Sequence, residues 1–353
     1  MLDRLAQLFG PTTLYTLVDD GRPLTDAIAA CDVVTSPLQR LPGAAGRWRR
    51  YYLPLMPWAV GRLHVEPCEM LISTSSAVMK SITPPAGARH ICYCHSPARY
   101  LWDLSDDYAH GAGGRVRTLG LRAMRQPFQR WDRRTADRVD VFVANSRFTA
   151  ERIRRCYGRD SRVIHPPVRT DTFTPGDGGV RDNALLVVSA LEPYKRVDLV
   201  IDAANRAKIP LTVAGDGSQR RALAERAGPT VTMLGRVSDD ELIGLYRRAR
   251  AMVFPQCEDF GITAVEAQAC GCPVIAFGAG GAVETVTPST GVLFDEQTVE
   301  SLLSAIDAFD AAGIDPADCR ANAERFSEAV FDQRMRAIVD ECAPGGRTPP
   351  PRP

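Results

Sequence analysis

A chain of 353 residues is long enough for two domains of ordinary size. Hydrophobic residues make up 45% and charged residues 24%, the balance of a soluble globular protein, and a formal charge of +1 argues against nucleic acid as the main partner. No apolar run approaches the length that spans a bilayer. The opening segment carries Asp3 and Arg4 and has no apolar stretch, so no secretory leader is expected. The ten cysteines then read as reduced thiols of a cytoplasmic protein, with Cys92/Cys94 and Cys270/Cys272 as the close pairs.

In chain order, the first half predicts a helix over 2–8 and strands at 14–18, 70–73 and 90–94. Helical stretches follow within 119–138, then a strand at 141–144, a helix over 147–157 behind the cap Ser146, and a strand at 163–165. Pro166-Pro167 through Gly176-Asp177-Gly178-Gly179 reads as a linker. Beyond it, apolar runs at 185–191, 211–215, 231–234, 251–254, 273–277 and 292–294 alternate with helices over 197–208, 219–227, 239–250, 262–270 and 298–309. Ser238 caps the third of these helices. Runs with so few polar interruptions suit strands covered on both faces, and the alternation predicts a doubly wound parallel α/β domain. The expected division is 1–175, 180–325, a helix over 326–342 packing back on the first domain, and a disordered Pro-rich tail over 343–353.

The strongest chemical signal is the run Glu258-Asp259-Phe260-Gly261-Ile262-Thr263-Ala264-Val265-Glu266 at a loop-to-helix junction. One carboxylate sits on the loop and the other inside the helix, with the helix N-terminus between them. Bare N–H groups at such a terminus attract phosphate, and flanking carboxylates accept hydrogen bonds from sugar hydroxyls. That combination suits a nucleotide diphosphate-sugar. Read alone, the acidic residues would equally serve as ordinary helix-start charges.

The second half resembles the retaining glycosyltransferases of family 4, which have the GT-B fold. The resemblance is carried by residues 188–196, by Ala214-Gly215-Asp216-Gly217, by Leu234-Gly235-Arg236-Val237-Ser238, and by 258–273. Within that family the chain is most similar to O-antigen-type mannosyltransferases, through the run from His90 to Tyr100, Asn145-Ser146-Arg147 and Tyr194-Lys195-Arg196-Val197-Asp198. The fold implied is α/β, two facing Rossmann-like doubly wound domains with a deep interdomain cleft. The implied activity is transfer of a hexose, mannose from GDP-mannose above all, to a lipid-linked or growing glycan, as in polysaccharide or lipopolysaccharide biosynthesis. No cofactor is implied beyond the donor substrate itself.

The resemblance also implies roles for single residues. Glu258, His95 and Lys195 would be catalytic: Glu258 holding donor sugar hydroxyls, His95 lying beside the reacting sugar, Lys195 neutralising the departing diphosphate. Glu266 would bind the ribose, and Phe260, Gly261 and Ile262 would offer backbone N–H groups. Gly215, Asp216, Gly217, Arg236 and Val237 would wall the nucleobase, and Arg196 would assist at the phosphates. For Asp216 plain turn chemistry is an equal alternative, and His95 has a structural reading as a satisfied histidine. Gly278-Ala279-Gly280-Gly281 before Glu284 is a further glycine-rich turn suited to phosphate or sugar.

Two departures stand out. Ala190 occupies a position where the family usually has an arginine, and the resemblance implies that the first strand of the N-terminal domain is missing, because the chain opens on the helix that normally follows it. These departures favour a catalytically inactive GT-B-like protein as one alternative, and an epimerase of the same fold is the other. A nicotinamide oxidoreductase is disfavoured by the lack of a Gly-x-Gly-x-x-Gly after a strand.

The sequence contains no Asp-x-Asp triplet, which agrees with metal-independent activation. His90, Cys92 and Cys94 share a strand face but lack the spacing of a zinc site. Eight arginines between Arg115 and Arg138 form a basic stretch that suits an anionic lipid or a polyprenyl diphosphate acceptor, or else a solvated face. The apolar run 51–58 suits either packing or a peripheral contact at the inner membrane face.

Overall fold

The structure, a computed structural model, describes residues 1–343 apart from 11, 23–24, 47–48, 103–113, 177–178 and 180, and the side chains of 49–50 and 114–124 are likewise not described. The chain divides into two compact units: Met1–Ile164 with the chain from Asp332 onward, and His165–Phe331.

In the second unit the apolar runs form β7 (Leu185–Val188), β8 (Leu211–Ala214), β9 (Val231–Gly235), β10 (Ala251–Phe254), β11 (Val274–Phe277) and β12 (Gly291–Phe294). They make one six-stranded sheet in the order β12-β11-β10-β7-β8-β9, parallel throughout. The two-residue period of a strand divides its side chains between two cores. Leu185, Val187, Ala251, Val253 and Ile275 pack on one face, and Leu186, Met252, Phe254, Val274 and Ala276 on the other. Full burial of an aliphatic or phenylalanine side chain stabilises by about 1.5–3 kcal/mol, so strands filled on both faces hold the sheet firmly. The helices Val197–Ala207, Asp239–Arg248 and Ile262–Ala269 lie between successive strands, and Val299–Ala312 follows the last strand. Ser238 caps the second of them in a reciprocal capping box with Glu241.

The expected strand over 185–191 stops at Val188. Leu191 is buried, yet its N–H donates to Asp216 O at 3.0 Å, so it fills the core from a loop. The helix Pro316–Glu324 was not anticipated; Asp315 caps it through Ala317 N at 2.8 Å. Much of the segment read as a linker packs into the second unit, with Val168 and Phe173 in its core and Val168 bridged to Ser327.

The first unit is parallel as well. It contains β1 (Thr13–Thr16) paired with β2 (Asp32–Thr35), and a four-stranded sheet of β3 (Met70–Ser75), β4 (Arg89–Cys94), β5 (Val141–Ala144) and β6 (Arg162–Val163) in chain order. β2 escaped the sequence reading because its side chains are largely exposed and show no apolar face. A cavity of about 790 Å³ is lined by consecutive residues of both β1 and β3, among them Leu14, Tyr15, Leu71 and Ile72. The helix Arg147–Tyr157 starts, as expected, at Ser146, whose hydroxyl accepts from Thr149 N at 3.0 Å. Glu328–Cys342 is the last helix among the described residues; Asp332 pairs with Arg4 and Glu341 with Arg162.

At the centre of this unit Lys80 and Asp132, 1% and 0% exposed, face each other at 2.9 Å. Lys80 Nζ also donates to Asp132 O at 2.6 Å and Thr135 Oγ1 at 3.2 Å, and Trp102 Nε1 donates to Asp132 Oδ2 at 2.8 Å. Both ring nitrogens of His90 are engaged, with Ser73 Oγ at 2.8 Å and Arg138 O at 3.0 Å, and burial lowers its pKa to about 4. Among the described residues no group of three His, Cys, Asp or Glu side chains gathers as a metal set.

Within the arginine stretch, the side chains of Arg115, Arg117 and Arg122 lie outside the described residues, as does the tail from 344 onward. Arg125 and Arg133 donate to Leu101 O and Cys156 O at 3.1 and 2.9 Å, so these two guanidinium groups are spent on backbone carbonyls. In the apolar run 51–58, Tyr51, Leu55 and Trp58 are exposed, while Ala59 and Val60 just beyond it are buried. Among the described residues no helix is long and apolar enough to cross a membrane.

Candidate active site

β7 has β8 on one side and β10 on the other, so the chain departs from this point of the sheet in both directions. Loops leaving the carboxyl ends of two such strands diverge and open a crevice, the usual ligand position of a doubly wound sheet. The loop after β7 brings Lys195, at the end of the 3₁₀ turn Pro193–Lys195. The loop after β10 brings Gln256, Cys257 and Glu258. Lys195 Nζ donates to Glu258 Oε1, and Gln256 Nε2 reaches the same oxygen at 3.2 Å. The Lys195 and Glu258 side chains are 14% and 21% exposed, so the pair is sheltered yet reachable.

Glycines hold these loops together where any side chain would collide. Gly280, at φ +67°, would place a Cβ 2.2 Å from Glu258 O, and a Cβ on Gly281 would lie 2.3 Å from Phe260 Cα. The contact lets Gly281 N donate to Glu258 O at 2.8 Å and gives a parallel bridge between Glu258 and Gly280. The glycine-rich turn after β11 thus serves as a clamp on the Glu258 backbone. Gly261, at φ +88°, is the N-cap of Ile262–Ala269 and offers no side-chain cap. The first-turn N–H groups consequently form a partial positive charge beside the Lys195–Glu258 pair.

The residues expected to wall a nucleobase lie at the next strand along. Asp216 Oδ1 accepts from Gly217 N at 2.9 Å, which is turn chemistry, while its Oδ2 lies 3.9 Å from Arg236 and 3.7 Å from Arg220. A Cβ on Gly215 would sit 1.8 Å from Ser189 O, so the loop after β8 lies directly on the loop after β7. Glu192 knits the same two loops by accepting from Ser218 N at 3.1 Å. Val237 is half-buried beside the exposed Arg236.

Three predicted residues have other neighbours. Arg196 adopts φ 51°, uncommon for a residue with a side chain, and its guanidinium is held by Gln297 Oε1 at 3.3 Å and Asp198 Oδ1 at 3.4 Å. Glu266 is set among Tyr246, Arg169 and Asp239. Burial raises its carboxyl to about 7; Arg169 pulls in the opposite direction and Asp239 adds to the rise. His95 belongs to the first unit, where its backbone N–H donates to Ser75 O at 2.8 Å and its ring meets Tyr93 edge-on at 5.2 Å.

Gln256, Gln297, Glu192 and the His165–Glu284 pair at 3.0 Å were not anticipated. For Glu284 the only sequence signal was its place after the glycine turn. For the others there was none, because each acts on a residue distant in the chain or through an amide common on surfaces.

The Glu266 value carries a pH consequence. Its folded pKa lies above the ordinary 4.5, so its contribution to stability is complete below about 4.5 and is lost as pH rises to about 7. Glu266→Gln removes that titration. The wild-type melting temperature is therefore expected to fall relative to Glu266→Gln between about pH 5 and about pH 8. Parallel profiles for the two proteins would refute the assignment.

Both units resemble known proteins. Residues 4–172 match the family model described as Glycosyltransferase Family 4, and residues 176–326 match the one described as Glycosyl transferases group 1. The chain has the two-domain fold of the GT-B glycosyltransferases. A D-inositol 3-phosphate glycosyltransferase of Mycobacterium sp. (strain KMS) is 35% identical over 207 residues, 49% of this chain and 47% of that protein. The chain thus spans about half the length of the curated relatives it matches. Among solved structures, sucrose-phosphate synthase from Thermosynechococcus elongatus superposes with a TM-score of 0.71 at 20% identity, covering 96% of this chain and 90% of that one. Anabaena HepE, solved with UDP and glucose, gives 0.65 at 17% identity, covering 96% and 95%. The expected pair of Rossmann-like GT-B units is therefore what the chain forms.

Proposed function

We propose that this chain transfers a hexosyl group from a nucleotide diphosphate-sugar to an acceptor hydroxyl, keeping the configuration at the anomeric carbon. The observation that carries this reading is the meeting of Lys195 and Glu258 at the switch point of the sheet, beside a helix terminus with no side-chain cap. A sugar diphosphate needs positive charge where the leaving group forms, and Lys195 with the first-turn N–H groups supplies it. The hydroxyls of the sugar need acceptors, and Glu258 is the carboxylate at that place. The departing diphosphate then takes the acceptor's proton, as the family resemblance implies. No resident metal is required in this scheme.

GDP-mannose is the donor favoured by the likeness of 90–100 and 194–198 to mannosyltransferases, and a lipid-linked or growing glycan is the matching acceptor. Among the relatives, HepE is solved with UDP and glucose, and the mycobacterial proteins are named for inositol 3-phosphate. GDP-, UDP- and ADP-hexoses therefore form the test panel. A donor present at about 100 times its dissociation constant stabilises the folded state by about 2.7 kcal/mol, which a melting scan detects. GDP-mannose is expected to give the largest shift and to release GDP only when an acceptor is added. A shift with a UDP-sugar alone would reassign the donor, donor conversion without acceptor would indicate an epimerase, and no shift with any donor would refute the reading.

A further inference from the structure

We infer that Gln256 is a positioning residue that keeps Glu258 in its working orientation after a bound diphosphate has drawn Lys195 away; the inference rests on the donor-site reading above. Glu258 Oε1 receives both Lys195 Nζ and Gln256 Nε2, and among the described residues its Oε2 takes no hydrogen bond. The resting arrangement therefore aims one oxygen at the protein and leaves the other for a ligand. Lys195 cannot hold that arrangement throughout a reaction. Its ammonium is a point charge on a flexible stem, and a diphosphate carries more negative charge than one carboxylate. Once the ammonium turns to the phosphates, Oε1 retains a single donor, the amide of Gln256.

That amide suits the task because it is neutral and fixed. Gln256 is 2% exposed and stands two residues past the end of β10, and the carbonyl of its neighbour Pro255 accepts from Gln297 Nε2 at 2.7 Å. The Glu258 backbone is already clamped by Gly280 and Gly281. Only the side-chain torsions of Glu258 remain to be restrained, and Gln256 Nε2 is the group that restrains them.

A second observation separates this role from ordinary packing. Gln256 Oε1 is buried and has no hydrogen-bond partner among the described residues. A buried acceptor left unpaired disfavours folding. An apolar side chain of the same length would remove that cost, so the amide is not explained by what it does for stability. It is explained by the hydrogen bond to Glu258.

Gln256→Met separates the two explanations. The variant is expected to melt no lower than the wild type and to bind the nucleoside diphosphate with affinity within about twofold, while kcat for sugar transfer falls by about 10- to 100-fold with donor KM little changed. Turnover within about twofold of wild type would overturn the inference and leave the donor-site reading standing. A marked loss of melting temperature would also overturn it, because the amide would then serve the fold. A wild-type protein that neither binds nor consumes any nucleotide sugar would overturn both.

Discussion

Glu258→Ala is expected to cut sugar transfer by about 10²- to 10³-fold, the cost of removing one group aimed at the charge and hydroxyls of a transition state. Binding of the free nucleoside diphosphate is expected to hold or tighten. Glu258 pairs with Lys195 in the resting protein, so its removal frees the ammonium that the phosphates need. Lys195→Ala has the complementary signature: turnover falls by a similar factor, and diphosphate affinity falls with it, since both steps use the same charge. Calorimetry with the nucleoside diphosphate, beside steady-state kinetics, resolves the pair. Equal loss of diphosphate affinity in both variants, or turnover within about twofold of wild type in Glu258→Ala, would show that the carboxylate does not act on the sugar. Both side chains lie in loops at a crevice, and neither is part of the hydrophobic cores. Melting temperature is therefore expected to move little in either variant.

The largest effect on stability is expected in the first unit. Lys80→Met leaves Asp132 buried at 0% exposure without its cation, and breaking a buried pair in this way costs about 3–5 kcal/mol. For a unit of this size that corresponds to a fall of about 6–20 °C in the transition of the first unit. The double variant Lys80→Met/Asp132→Leu is expected to recover much of the loss, because apolar replacement of both partners removes the unpaired charge. Trp102 Nε1 would lose its acceptor in the double variant, which limits the recovery. Two melting transitions should be followed separately, since a chain of two units does not unfold as a single cooperative step. A single Lys80→Met that melts with the wild type would show that the pair is not what holds this core.

The legible part of this protein follows from local chemistry. The runs of β7, β10 and β11 are apolar on both faces, and that pattern identifies covered parallel strands without knowledge of their neighbours. Ser146 and Ser238 announce their helices because a cap acts within three residues. Glu258 was recognisable because its loop, glycine and helix start are contiguous in the chain. β2 was not legible, since an exposed strand carries no apolar alternation. The short helix at 316–324 has a hydrophobic face too weak to be seen in the sequence, with Cys319 and Ala323 as its small buried residues.

The order of residues alone decided that this chain would make parallel α/β units and where its tight glycine turns would fall, because strand period, caps and turns depend on near neighbours. Only the tertiary structure decided that Lys195 meets Glu258, that Gln256 shares the same oxygen, and that Gly280 clamps the Glu258 backbone. Those contacts exist because β7 and β10 are adjacent in the sheet although two strands intervene in the chain. Strand order is settled by how helices and sheet faces bury their apolar surface together, a balance summed over the whole unit that no short stretch of sequence expresses.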